Sequence, residues 1–199
     1  MERVIRGGVF TLALLPFIWV SYAAVTGGLG PDPAESLMHV TGEWSLRLLA
    51  LTLLVSPLRA WTGWSLLLKL RRMLGLYAFF YGCIHLLSFV QFYVGWTPAG
   101  LLEELAERPY ITMGFMAWLL MLPLAITSNQ AMIRRLGKKW KSLHQLAYFV
   151  ILLAVLHFIW LVKADYLEPT IYAIIAVVLL LHRVGPMKRF SLKSSAASR

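Results

Sequence analysis

Five histidines are the side chains of this chain best suited to bind a cofactor, and two of them lie deep in long apolar segments. An ionisable side chain inside a membrane-like segment is energetically costly and is a candidate for function. His85 follows Arg72 by thirteen residues, and His157 follows Lys141 by sixteen. At a rise of 1.5 Å per residue, both imidazoles are predicted roughly 20 Å from the basic ends of their helices. Two neutral imidazoles at matched depth on neighbouring helices suit the axial positions of a haem iron.

Small residues precede His85 on one helical face. Gly82, Ala78 and Gly75 lie three, seven and ten residues before it, and these offsets share a face of a helix. Such a stripe lets a flat porphyrin approach the backbone. The same offsets before His157 give Ala154, Val150 and Ala147. The alternative explanation is close packing between helices, which small residues commonly mediate in membranes.

A second group of polar side chains lies near the basic ends of the same segments. His144 is thirteen residues before His157, which places it about 140° away around the helix. The matching level of the other segment offers Arg71 and Arg72 rather than a histidine. His182 is the only other histidine at this level. His144 is therefore a candidate ligand of a second haem with a non-histidine partner, or a contact for a quinone or a flavin.

Arg47 lies within an apolar segment and needs a partner there. A haem propionate is one candidate, and extension of the side chain to the outer interface is the alternative.

His39 is expected at the surface. Cys83 is the single cysteine, so no internal disulfide or cysteine-based zinc site is possible, and we expect it to be a small core residue.

The elements that carry these side chains are predicted to be membrane helices. Of the 199 residues, 59% are hydrophobic and 14% are charged, and a soluble domain would carry more polar surface. We therefore expect an all-α integral membrane protein, a bundle of six transmembrane helices in a single domain over residues 1–199, with an uncleaved first helix and a polar cytoplasmic tail at 188–199. No internal repeat is apparent. The predicted spans are roughly residues 8–25, 44–58, 73–94, 111–127, 143–162 and 169–181.

The charges alternate between the two ends of these segments. Basic residues cluster before the first segment, after the second, after the fourth and after the sixth, whereas acidic residues fill the other connections. By the positive-inside rule, both termini are predicted to be cytoplasmic. This distribution also explains the net charge of +10 without nucleic acid binding, because no soluble basic domain is present to carry that function.

The residues leave three classes of function open. No nucleotide-binding motif is present, so a haem protein of this size is expected to transfer electrons from a quinol or a soluble reductase to a partner protein. A self-sufficient haem reductase of ferric iron or quinone is the alternative within redox chemistry. A cofactor-free membrane transporter or scaffold with core histidines is the alternative outside it.

Several stretches carry a specific resemblance. They are HVTGEWSLRLLALTLLVSPLR, RRMLGLYAFFYGCIH, RPYITMGF, LPLAITS and RLGKKWKSLHQLAYFVILLAVLHFIW, and they spread over nearly the whole chain. In these stretches the chain resembles the MsrQ (YedZ) family of haem-binding membrane subunits, within the wider ferric reductase-like transmembrane domain family.

The resemblance implies more than the residues do by themselves. It implies b-type haem, a bacterial inner-membrane location, and electron delivery to a periplasmic molybdopterin subunit, MsrP, that repairs methionine sulfoxide in oxidised periplasmic proteins. It also implies respiratory quinol as electron donor, with FMN associated, and leaves room for a cytosolic flavin reductase. The family's haem histidines fall on His85, His144 and His157. Larger ferric reductases carry two histidines on each helix, whereas the segment of His85 here carries one.

Overall fold

The computed structural model describes residues 1–196 of the chain, with the side chains of residues 1–183, and this part is built from helices. The predicted polar tail at residues 188–199 lies outside the described side chains. The α-helices are α1 Glu2–Thr26, α2 Pro33–Thr62, α3 Leu66–Phe89, α4 Pro98–Glu107, α5 Pro109–Ile126, α6 Gln130–Leu136, α7 Lys138–Leu143, α8 Ala147–Leu161 and α9 Leu167–Ala196.

Several helices are long and apolar enough to cross a membrane, as the composition predicts. Among the described residues, the segments that meet this description are Glu2–Thr26, Leu66–Val94, Pro109–Ile126 and Lys138–Leu161. Helices are expected because lipid offers no partner to a backbone amide or carbonyl, so each must be bonded within its own segment. The all-helical, multi-pass membrane class is thereby confirmed. The remaining predicted spans, residues 44–58 and 169–181, lie inside α2 and α9.

Helix α2 extends past its apolar run because a polar residue caps its start and a glycine forms its end. The Asp32 side chain accepts a hydrogen bond from the Glu35 amide, 2.9 Å away, and α2 starts at Pro33, eleven residues before the predicted span. Gly63 ends α2 with a φ of 70°, a left-handed conformation that favours glycine. Sequence hydropathy therefore located the membrane core but not the helix ends.

Helices α2 and α3 pack closely and antiparallel. The Ser45 hydroxyl donates to the Ala78 carbonyl at 2.9 Å, and a Cβ on Gly75 would lie 3.5 Å from the Thr52 methyl group. Ala78 is fully buried. Small residues on α3 thus permit the close approach of α2. Helices α5 and α8 form a second closely packed pair, α1 packs on α2 and α3, and α9 packs on α8 and α2.

The two ends of the bundle differ in charge. At one end, Lys69 Nζ lies 2.6 Å from Glu2 Oε2, and Trp61 packs against His182, so the start of α1, the end of α2, the start of α3 and the His182 turn of α9 lie together. At the other end lie the acidic residues Glu35, Glu43 and Glu104. The segregation follows the alternation of charge along the sequence.

Candidate functional site

His85 on α3 and His157 on α8 face each other across the bundle. Their ring centroids are 6.2 Å apart, and their ring planes are inclined at 80°. Both side chains are only partly exposed. The two histidines that were predicted at matched depth are thus brought together by the fold.

Each imidazole is anchored by its Nδ1 atom to a backbone carbonyl of a neighbouring helix. His85 Nδ1 lies 2.9 Å from the Met38 carbonyl oxygen, and His157 Nδ1 lies 2.7 Å from the Tyr110 carbonyl oxygen. A carbonyl oxygen can only accept, so the Nδ1 of each ring carries the proton and donates it. The Nε2 of each ring then keeps its lone pair, which is the form of histidine that binds a metal.

A glycine lies against each ring, one helical turn after the accepting carbonyl. A Cβ on Gly42 would lie 3.1 Å from both Nδ1 and Cε1 of His85. A Cβ on Gly114 would lie 2.9 Å from His157 Nδ1 and 3.0 Å from its Cε1. A Cβ would therefore force a shift at position 114 and would be a tight contact at position 42.

A cavity of about 300 Å³ opens between the two helix pairs at the acidic end of the bundle. Its walls are largely apolar and aromatic, and the two histidines lie in it. Its lining also includes Phe89, Phe115, Trp118 and Phe158, with the polar residues His39, Glu43 and Arg108. A mostly apolar cavity with a few converging polar groups is the usual form of a cofactor site.

The donor set fits haem rather than a metal held by protein ligands alone. Among the residues whose side chains are described, no three His, Cys, Asp or Glu side chains converge on one point. Two imidazoles are too few for a zinc site, which takes three or four protein ligands. A porphyrin supplies the remaining donors. A metal between the two rings would lie about 2 Å from a nitrogen of each. With the distance from each nitrogen to its ring centre added, the two ring centroids would be roughly 6 Å apart, which matches the observed 6.2 Å.

The cavity wall contains pairs of equivalent residues that lie 72 positions apart in the sequence. His85 and His157 have this separation, as do Gly42 and Gly114, and Met38 and Tyr110. Other residues that line the cavity pair at the same offset: Ser45 with Ala117, Leu46 with Trp118, Leu49 with Met121, Gly82 with Ala154, Leu86 with Phe158 and Phe89 with Leu161. The structure therefore reveals an internal repeat of a helix pair, α2–α3 and α5–α8, where none was expected from the sequence.

The small residues predicted before His85 divide between two environments. Gly75 lies against Thr52 of α2, and the Ala78 carbonyl accepts from Ser45. Gly82 lines the cavity and also lies against Ser45, whose Oγ would be 3.3 Å from a Cβ at this position. The face of α3 that these residues share is turned mostly toward the neighbouring helix. Close packing between helices accounts for Gly75 and Ala78.

His144 lies away from the cavity, at the basic end of the bundle. Its Nε2 is 3.0 Å from the Thr127 hydroxyl, and its ring stacks on Trp140 with a centroid distance of 4.0 Å. Arg71 is its cationic neighbour. The position 72 residues before His144 is Arg72, which is exposed. No second histidine is therefore supplied at the equivalent point of the repeat.

Arg47 does not line the cavity. Its guanidinium lies 2.7 Å from Glu43 Oε2, and its Nε donates to the Tyr172 hydroxyl at 3.0 Å. The cation in the cavity wall is instead Arg108, whose NH1 lies 3.0 Å from Glu104 Oε2. Sequence reasoning missed Arg108 because it lies in a connection rather than in an apolar run, and it missed Gly42 and Gly114 because only their offset from the histidines marks them.

Residues 41–155 match the family model described as the ferric reductase like transmembrane component. This is more than half of the chain. It contains α3 and His85, and it ends two residues before His157.

Curated proteins of three bacteria are similar to the chain over nearly its whole length, and each is named "Protein-methionine-sulfoxide reductase heme-binding subunit MsrQ". The protein of Xanthomonas axonopodis pv. citri is 48% identical over 94% of this chain and 86% of its own length. That of Xanthomonas campestris pv. campestris is 48% identical over 94% and 85%, and that of Azospira oryzae is 47% identical over 90% and 78%. No solved structure shows a significant match.

Proposed function

Because this chain belongs to the family of MsrQ haem-binding subunits, we propose that it is a membrane electron-transfer subunit that binds one haem b between His85 and His157 and passes electrons to the periplasmic subunit MsrP. The observation that carries the proposal is the facing pair of imidazoles, 6.2 Å apart, each with its Nδ1 bonded to a carbonyl.

The protein groups around this site hold and shield the cofactor. A haem held here by His85 and His157 would supply a one-electron iron couple, which suits electron transfer rather than reaction of a substrate at the metal. The carbonyls of Met38 and Tyr110 keep both histidines in the tautomer that ligates through Nε2. The aromatic and aliphatic walls keep water away from the ligands.

Arg108 is the propionate partner in this proposal. It lies in the cavity wall near the end that carries acidic residues, whereas Arg47 is engaged with Glu43 and Tyr172. Guanidinium groups match carboxylate geometry and form charge-assisted hydrogen bonds to it. The ion pair of Arg108 with Glu104 holds the guanidinium at the rim.

The basic end of the bundle is the entry point for electrons. Arg71 lies near Tyr148 and Arg183, and His144 lies near Arg71. Cationic and aromatic side chains of this kind suit a quinol head group or the phosphate of FMN, as the resemblance implies. The donor is respiratory quinol, with a cytosolic flavin reductase as the alternative. Since Arg72 takes the place equivalent to His144, the chain holds one bis-histidine haem.

The orientation in the bacterial inner membrane follows from charge. Six spans place the basic end, with both termini, in the cytoplasm, and they place the mouth of the cavity at the periplasmic side. The haem cavity and the acidic end of the bundle then face the compartment of MsrP. The juxtaposition of the start of α1 with the start of α3 supports this arrangement.

Reoxidation of the reduced haem tests the proposed function. The purified full chain in lipid nanodiscs is reduced with a short-chain quinol, and its absorbance is followed after MsrP, methionine sulfoxide, or both are added. Fast reoxidation only with both components supports the electron-transfer subunit. If methionine sulfoxide, ferric iron or excess quinone alone reoxidises the haem as fast as the complete mixture, the chain is a self-sufficient reductase.

A further inference from the structure

Helices α2 and α5 present the same three-part arrangement to the two histidines. A carbonyl at position i accepts from the imidazole, a glycine lies at i+4, and the histidine follows at i+47. Met38, Gly42 and His85 form the first copy. Tyr110, Gly114 and His157 form the second.

Helix geometry explains why the glycine belongs at i+4. Inside an α-helix, the carbonyl of residue i accepts from the amide of residue i+4, and a side chain at i+4 flanks that carbonyl. A carbonyl oxygen has two lone pairs and can accept a second bond if its side is uncovered. Gly42 uncovers the Met38 carbonyl in this way, and it leaves room for the imidazole that donates to it.

We propose that Gly42 and Gly114 are equivalent positioning residues, each seating one axial histidine against the carbonyl four residues earlier, so that the haem site consists of two half-sites of one repeated design. This inference rests on the proposed haem site. The glycines act through the histidines: they fix the rotation and the tautomer of each ring, and thereby the geometry offered to the iron.

The two glycines are not equally tolerant of a side chain. A Cβ at position 114 would lie under 3.0 Å from a ring nitrogen, which forces the ring to move. A Cβ at position 42 would lie 3.1 Å from its ring, so a displacement of a few tenths of an ångström suffices. Gly114→Ala should therefore perturb the site more strongly than Gly42→Ala.

The test compares Gly42→Ala and Gly114→Ala with Gly8→Ala, whose added Cβ would meet nothing within 4 Å. Each full chain is purified in detergent, its helical content is checked by circular dichroism, and it is titrated with ferric haem b. Low-temperature EPR then reports the relative orientation of the axial ligands.

The expected result is a graded change. Gly114→Ala weakens haem binding by roughly five-fold or more and shifts the largest g value, Gly42→Ala does so less, and Gly8→Ala matches the unmodified chain. If Gly114→Ala does not fold, the milder Gly42→Ala carries the test. Unchanged affinity and g values in a folded Gly42→Ala and Gly114→Ala would overturn the inference, whereas absence of haem from the unmodified chain would instead overturn the proposed function.

Discussion

Tyr81 joins α3 to the part of α1 around Pro16, and Tyr81→Phe should destabilise the bundle measurably. The fully buried Tyr81 hydroxyl donates to the Ala13 carbonyl at 2.8 Å and accepts from the Phe17 amide at 3.0 Å. A regular helix would join this amide and carbonyl directly, since they are four residues apart. Pro16 lies between them, and a proline has no backbone N–H to donate. Prolines commonly bend the helices that contain them.

The size of the effect follows from the groups left without a partner. Tyr81→Phe removes the hydroxyl that accepts from the half-buried Phe17 amide, at a cost of about 1–3 kcal/mol. For a chain of this length each kcal/mol lowers Tm by roughly 2–4 °C, so a loss of about 2 kcal/mol corresponds to roughly 4–8 °C. Tyr77→Phe is the matched control, because its hydroxyl makes one 3.2 Å bond to the Phe10 carbonyl.

The assay is thermal unfolding of the haem-free chain in detergent, followed by circular dichroism. Haem is left out so that ligand binding does not contribute to Tm. Tyr81→Phe should lower Tm by more than Tyr77→Phe does. An equal Tm for both variants would refute the assignment of the Tyr81 hydroxyl as a bridge within α1.

Three further predictions concern topology and the two ends of the bundle. Reporter fusions after Arg72 should report cytoplasm and fusions after Asp32 should report periplasm, and the reverse at both sites would contradict the six-span arrangement. Arg108→Gln should weaken haem retention about two- to five-fold, measured by haem titration, and Arg47→Gln should weaken it less. His144→Ala should leave the haem spectrum intact while slowing haem reduction by quinol in stopped-flow absorbance, and loss of the spectrum would instead make His144 a ligand.

The sequence predicted the membrane class and the histidine pair because both depend on simple periodic quantities. Hydropathy marks the bilayer-spanning part of a helix, and a constant rise per residue sets the depth of a side chain on it. These quantities place His85 and His157 at one level. They do not fix which face of each helix meets which neighbour, so they do not show that Gly75 and Ala78 pack against α2.

The internal repeat escaped sequence reasoning because it is carried by few identical residues. Along the cavity wall, the pairs at an offset of 72 are identical at Gly42 with Gly114 and at His85 with His157. Most of the others exchange one apolar or small residue for another, and His39 with Ile111 and Glu43 with Phe115 exchange a polar residue for an apolar one. Apolar exchanges of this kind keep the packing but leave no readable pattern. The carbonyls of Met38 and Tyr110 cannot be identified as acceptors from the sequence, since every residue has a backbone carbonyl.

The optical and EPR spectra of the purified chain with each histidine replaced test the central claim, that His85 and His157 are the two axial ligands of one haem. His85→Ala and His157→Ala should each abolish most of the low-spin signal, because each removes one axial nitrogen. His182→Ala is the control, since that ring packs against Trp61 at the basic end of the bundle. The claim is contradicted if both of the first two variants retain the spectrum of the unmodified chain.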